Sequence, residues 1–252
     1  MLTANTIKFI KSLQQKKYRK ELGLFFAEGP RLVSDLLHSN IEVDSIYHTQ
    51  EWQVTPEIET NYHQISAKEM DRISGQTTPT PVIGLFKIPS AKLSIDTIKD
   101  GLSIVLDDIQ DPGNLGTIIR LADWFGIRNV ICSPGTADAF SPKVVQATMG
   151  AIARVNVFYQ DVVSLTASAK KLGMAVYGTF LEGENIYTSN LDQKGLIVLG
   201  NEGNGISYNV EMSVTQRLTI PSFAADGVTS ESLNVAMATA IVCSEFKRRT
   251  TP

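Results

Sequence analysis

Cysteine is nearly absent: Cys132 and Cys243 are the only two in 252 residues, and both lie in apolar stretches. Such positions predict buried, free thiols in a reducing compartment rather than a disulfide framework. Histidine is scarce as well, and His38, His48 and His63 all fall early in the chain. The later part therefore cannot assemble a Ser-His-Asp or Cys-His arrangement of its own, nor the Cys/His cluster of a zinc site. Neither Gly-x-x-x-x-Gly-Lys-Ser/Thr nor a Gly-x-Gly-x-x-Gly after a first strand occurs, which removes the P-loop and dinucleotide fingerprints. No apolar run approaches the ~18 residues of a membrane span, so no membrane partner is expected. The opening MLTANTIKFIKSLQQKKYRK lacks the apolar core and small-residue cleavage site of a secretory leader, so a cytoplasmic location is expected. Asp107, Asp108 and Asp111 come nearest to a metal cluster. Carboxylates favour helix starts, so they read as a solvated strand-to-helix loop, and no metal is expected.

What is present is enough for a core. With 43% hydrophobic and 19% charged residues, the chain reads as folded, with one large or two modest domains. The net charge of −3 argues mildly against a general nucleic-acid binder, but the charges are unevenly placed. Lys8, Lys11, Lys16, Lys17, Arg19 and Lys20 precede the first acid, Glu21. Such a run is either a solvated helix face followed by a loop or a contact to RNA phosphates.

The first part alternates helical and extended patterns. Ile7, Ile10 and Leu13 predict a short amphipathic helix, and residues 24–27 an apolar strand ending at Glu28-Gly29-Pro30. Pro30 suits the first turn of a helix to Leu37. Residues 43–48, 62–66 and 82–86 read as strands and 67–73 as a helix, giving a small α/β domain over 1–90. A polar linker is expected at 91–101. From 102 to 252 the rhythm changes. Continuous apolar strands at 103–106, 129–132, 155–159, 175–180 and 196–199 alternate with helices at 112–125, 142–149 and 162–172. Such a pattern predicts a mostly parallel sheet covered on both faces.

The last third carries two strand ends and a helix start rich in small and amide residues. LIVLGNEGNGIS stops an apolar run abruptly at Gly200, LTIPSF ends a second run at Ile220-Pro221, and SLNVAMATAI opens a helix. Leu233, Ala236, Met237, Ala240 and Ile241 recur there at helical spacing. Strand ends that carry glycine and amide residues form the ligand crevice of open α/β sheets. Upstream, QDPGNLGTIIR places Asn114, Gly116 and Arg120 as Asn-x-Gly-x-x-x-Arg. Arg120 sits one helical turn beyond Gly116 on the same face.

These three stretches, in this order over about residues 102–248, resemble the SpoU (TrmH-like) branch of the SPOUT RNA methyltransferases. The resemblance implies S-adenosylmethionine as cofactor and methyl transfer to a ribose 2′-hydroxyl, with 23S-type ribosomal RNA as substrate. It implies a C-terminal trefoil knot, a homodimer, and an N-terminal ribosomal-protein-like (L30e-like) domain that binds RNA, to which Lys16, Lys17, Arg19 and Lys20 would contribute. Cofactor contacts would come from Leu199, Gly200, Gly203, Ile220 and Leu233. The catalytic set would be Arg120, Asn114, Glu202, Ser232 and Asn234. From the residues alone, Asn114 and Ser232 could equally be helix caps, Glu202 a loop carboxylate and Arg120 a surface arginine. The stretch SFAADGVTSE before Ser-Leu-Asn is slightly longer than the family's usual loop. Two other functions stay open: a non-catalytic RNA-binding ribosome-assembly factor, and a base methyltransferase of the same fold.

Overall fold

The computed structural model describes residues 1–54, 57–90, 92–224 and 230–249. In chain order it runs α1 (Ala4–Ser12), α2 (Lys16–Leu22), β1 (Leu24–Glu28), α3 (Pro30–Leu37), β2 (Val43–His48), β3 (Asn61–Gln64), α4 (Ala67–Ile73) and β4 (Val82–Lys87). It continues through α5 (Ile95–Ile98), β5 (Leu102–Asp107), α6 (Pro112–Trp124), β6 (Asn129–Cys132), α7 (Pro142–Ala147), a short 3-10 turn, β7 (Asn156–Tyr159) and α8 (Val162–Lys171). The last part holds β8 (Val176–Asn185), β9 (Gly195–Gly200), α9 (Tyr208–Glu211), β10 (Gln216–Thr219) and α10 (Val235–Arg248). These elements form two compact units. One comprises Met1–Ser90 with Asp138–Arg154, the other Ala91–Ala137 with Val155–Pro252.

The first unit is built on a sheet of order β1-β4-β2-β3, in which β4 runs against β1 and β2 while β2 and β3 are parallel. The carboxyl ends of β1, β2 and β3 therefore share one edge. Ile7, Ile10 and Leu13 from the first helical stretch and Met70 and Ile73 from α4 pack on Phe26, Tyr47, Ile83 and Leu85. Phe25 meets Phe86 at 5.8 Å and Phe140 at 5.1 Å between ring centroids, so residue 140 is part of this core. Helix α7 packs on β1.

Arg19 departs from the expected phosphate contact. It is 3% exposed, donates to Asp138 at 2.5 Å and to the Leu13 carbonyl at 2.7 Å, and so has no free guanidinium for RNA. The pair satisfies a buried charge that would otherwise be costly. The loop expected after the first helix is α2, closed by Gly23 at φ 65°.

The second unit carries the parallel sheet that the continuous apolar strands predict. Its order is β10-β8-β9-β5-β6-β7, and every neighbouring pair is parallel. On one face Val105, Ile131, Val176, Leu196 and Val198 bury against Leu165 and Ala169 of α8 and Val210 of α9. Helices α6 and α10 pack on each other. The stretch expected as a linker holds α5, whose Ile98 is 1% exposed within the same core. Strand β8 runs on to Asn185, past the expected end, and pairs with β10 through a register shift between Arg217 and Leu218.

The last helix starts later and buries a different stripe than its apolar spacing predicts. Its N-cap is Asn234, whose side-chain oxygen accepts from the Ala236 and Met237 amides. Val235, Ala236, Thr239, Val242, Cys243 and Phe246 face inward, while Leu233 and Met237 are 49% and 55% exposed. Thr239 fits the interior because its hydroxyl donates to the Val235 carbonyl at 2.7 Å.

Candidate active site

The order of the second sheet reverses at β5. Strands β6 and β7 extend from one side of it, and β9, β8 and β10 lie on the other. A crevice outside the carboxyl ends at such a reversal is where open α/β sheets bind ligands. Here β5 ends at Asp107 and β9 at Gly200, and these two residues are register partners. The candidate residues of both strand ends therefore meet at the reversal.

Three segments distant in sequence are tied together there by one side chain. Asn114 lies in the first turn of α6; the N-cap is Asp111, which accepts the Asn114 N–H at 2.8 Å. Asn114 is thus freed from capping. Its Nδ2 donates to Glu202 Oε1 at 3.0 Å, and its Oδ1 accepts from Asn234 Nδ2 at 3.0 Å. Because Asn234 spends its own oxygen on the α10 cap, the chain Glu202–Asn114–Asn234 fixes the amide orientation of both asparagines. It joins the loop after β9, the start of α6 and the start of α10.

Glu202 also accepts the Gln110 and Asp111 N–H groups at 3.4 Å. Partial burial pushes its carboxyl up. The hydrogen bonds from Asn114 and from the backbone of Glu202, Gln110 and Asp111 outweigh that and hold it below the ordinary carboxylate range. A carboxylate at the positive end of α6 is favourably placed for the same reason.

The loop that carries Glu202 is closed on itself. Asn201 and Gly205 exchange backbone hydrogen bonds at 3.0 and 2.9 Å, and the Asn201 side-chain oxygen accepts from Gly203 and Asn204. A Cβ on Gly200 would lie 2.1 Å from the Gly205 carbonyl carbon, so glycine is required there by close backbone approach. Asn201 Nδ2 donates to the Asp108 carbonyl at 2.7 Å, joining this loop to the end of β5. Asp108 has φ 60°, and its carboxylate accepts from Ser133. Asp107 accepts the Ser207 N–H at 2.7 Å. The acidic trio is therefore accounted for by a cap, a turn and a loop clamp, and among the described residues no His/Cys/Asp/Glu group could hold a metal ion. The clamps Asn201 and Asp108 escape sequence reasoning because their partners are distant. The Asn-Glu-Gly-Asn run carried a turn signal but not its anchor.

Arg120 is exposed on α6, beyond the buried Ile118 and Ile119, and has no hydrogen-bond or ion-pair partner among the described residues. It is not held by Glu202. Ser232 is exposed and lies two residues before the α10 cap, so it does not cap that helix. Leu199 is buried at the end of β9, Gly200 and Ile220 are half-buried at strand ends on the same sheet edge, and Gly203 and Leu233 are exposed. Residues 225–229 of the longer loop lie outside the described residues. Lys16, Lys17 and Lys20 belong to the first unit, exposed on α2.

Residues 101–244 match the SpoU rRNA Methylase family and residues 4–84 the MRM3-like substrate binding domain. The chain is 31% identical to the 23S rRNA (guanosine(2553)-2′-O)-methyltransferase RlmP of Bacillus subtilis, covering 94% of this chain and 93% of that protein. A solved TrmH-family protein from Porphyromonas gingivalis is similar at 43% identity and TM-score 0.89, covering 99% of both chains. The AdoMet-bound rRNA methyltransferase from Sinorhizobium meliloti is similar at 29% identity and TM-score 0.88, covering 100% of this chain and 97% of that one.

Proposed function

Because the chain belongs to the SpoU rRNA methylase family, we propose that it transfers a methyl group from S-adenosylmethionine to a ribose 2′-hydroxyl of 23S-type ribosomal RNA. The observation that carries this is the Glu202–Asn114–Asn234 chain, which draws the family's three motif segments to one sheet edge at the start of α6, the helix that carries exposed Arg120. The named activities of the relatives favour ribose methylation over base methylation and over a non-catalytic assembly factor.

The residues suit such a cofactor. Exposed Leu233 and half-buried Ile220 offer apolar surface for a flat base, and Leu199 and the turned backbone of Gly200 and Gly203 offer main-chain contacts. When bound, S-adenosylmethionine supplies a methyl group already activated on a sulfonium, so no covalent enzyme intermediate is needed. The protein's part is to position a ribose and to make its oxygen more anionic, the hydroxyl proton passing to solvent. An arginine does not give up its proton in proteins, so Arg120 is no general base. It acts as a charged fork that holds a phosphate or stabilises the charge developing on the ribose oxygen. Asn114 and Glu202 keep the start of α6 in place, and with it Arg120. Ser232, free of capping duty, supplies a hydroxyl for the ribose or phosphate.

We further infer a homodimer and a trefoil knot in the C-terminal part, both as the family resemblance implies. Exposed Trp124 on α6 and Met237 on α10 support the dimer, because these helices pack together and leave apolar side chains uncovered. The start of α10 tied back to α6 across the chain is in keeping with a knot. The first unit is read as an L30e-like domain of substrate binding, with exposed Lys16, Lys17 and Lys20 contacting phosphates and the cytoplasm as its compartment.

The test is methyl-labelled S-adenosylmethionine with ribosomal RNA from cells lacking this gene, digested to nucleosides. Label in one 2′-O-methylnucleoside is expected. Label on a base, or cofactor binding with no label in any ribosomal RNA, would overturn the assignment.

A further inference from the structure

At the carboxyl ends of β2 and β3 lies a cavity of about 460 Å³, broadly open to solvent and lined by His48, Gln50, Trp52, Gln53, Val54 and Gln64. Small-ligand sites span ~300–1,000 Å³. Buried Thr49 organises its wall. The Thr49 carbonyl accepts the Trp52 N–H at 3.3 Å, and its hydroxyl accepts the Glu51 N–H at 3.4 Å. The same carbonyl lies 3.0 Å from His48 Nδ1. A carbonyl can only accept, so Nδ1 donates in this contact. The His48 ring packs against Trp52 at 5.6 Å and stands edge-on to Tyr62 at 6.3 Å. The Tyr62 ring lies 6.3 Å from Trp52. These contacts hold the indole, which stays partly open to solvent.

The chemistry of the lining narrows what could enter. No lining side chain is a lysine, arginine or carboxylate, so neither a phosphate nor an ammonium group is matched. The amides of Gln50, Gln53 and Gln64 have no hydrogen-bond partner among the described residues. A fixed aromatic face beside three free amides suits a flat, uncharged heterocycle with donors and acceptors on its edge. Proteins read single-stranded RNA in this way, by stacking a splayed base on an aromatic ring and hydrogen-bonding its edge. We infer that this cavity takes an unpaired nucleobase of the substrate RNA, stacked on Trp52 and read by Gln50, Gln53 and Gln64. The inference rests on RNA being the substrate, and it adds a base-reading contact to the phosphate contacts proposed for Lys16, Lys17 and Lys20.

The test begins with full-length Trp124→Phe, which leaves Trp52 as the only tryptophan. Its emission is followed on adding four RNA hexanucleotides, each of one base, and heparin as a polyanion control. Quenching by at least one hexanucleotide and none by heparin is expected. Trp52→Ala should raise KM for ribosomal RNA about tenfold, the loss of one stacked base, while kcat and cofactor binding stay unchanged. Trp52→Phe should recover most of that loss, which a merely structural role would not produce. No quenching by any hexanucleotide at millimolar concentration, equal quenching by heparin, or an unchanged KM in Trp52→Ala would each overturn the inference. If the unaltered enzyme methylates no RNA, the proposed function fails instead, and the quenching alone decides the pocket.

Discussion

Asn114 links the start of α6 both to the loop after β9 and to the start of α10. It has both of its side-chain groups engaged, one on Glu202 and one on Asn234, and lies on a helix already capped by Asp111. Asn114→Ala removes two exposed hydrogen bonds, which costs about 1 kcal/mol and roughly 2–4 °C in Tm. The activity should fall far more, by about a hundredfold, because the start of α6 and Arg120 are then misplaced. Equal, small losses in both would show the bridge to be only structural. The pairing was invisible to any local pattern: the partners lie 88 and 120 residues away. Arg19 misled for the same reason. Its neighbours are lysines, but its partner Asp138 is 119 residues downstream.

Among the elements, α10 shows where pattern reading succeeds and where it slips. Its existence was legible from spacing, but both sides of the helix carry apolar residues, so the buried stripe was not. Its end is pinned by a cluster that no periodicity announces. Buried Glu245 accepts from Arg248 and Arg249, and Arg249 also donates to the Ile186 carbonyl at 2.9 Å. The hydrogen bond from Arg248 is the main cause that holds the Glu245 carboxyl down at about 2, against an ordinary 4.5. A lowered folded value means that this stabilisation is full above about pH 4.5 and is lost as pH falls toward 2. Thermal melts across that window should show the unaltered protein converging on Glu245→Gln as the pH drops. A constant gap between them would contradict the clamp.

At the scale of the whole molecule, the boundary between units does not follow the chain. Strand-by-strand rhythm separated the early domain from the later parallel sheet, and the parallel sheet is as the continuous apolar strands required. What rhythm could not reveal is that residues 138–154, which leave the second sheet after β6 and return at β7, belong to the first unit. Phe140 fills its core against Phe25, and Asp138 neutralises Arg19. Residues 1–90 expressed alone would leave a buried guanidinium unpaired, a loss of about 3–5 kcal/mol. That fragment should bind a hydrophobic dye and melt without cooperativity. A sharp, reversible transition in it would show that the early stretch is self-sufficient.

We propose that the site gathered at the β5–β9 reversal methylates a ribose through Arg120. The most direct measurement is single-turnover methyl transfer to ribosomal RNA by the unaltered protein and by Arg120→Ala, with the products digested to nucleosides. Because Arg120 is exposed and has no partner among the described residues, the variant should keep its Tm and its S-adenosylmethionine affinity. The expected result is a 2′-O-methylnucleoside formed by the unaltered protein and lost in the variant. Undiminished transfer by Arg120→Ala, or label found on a base, would contradict it.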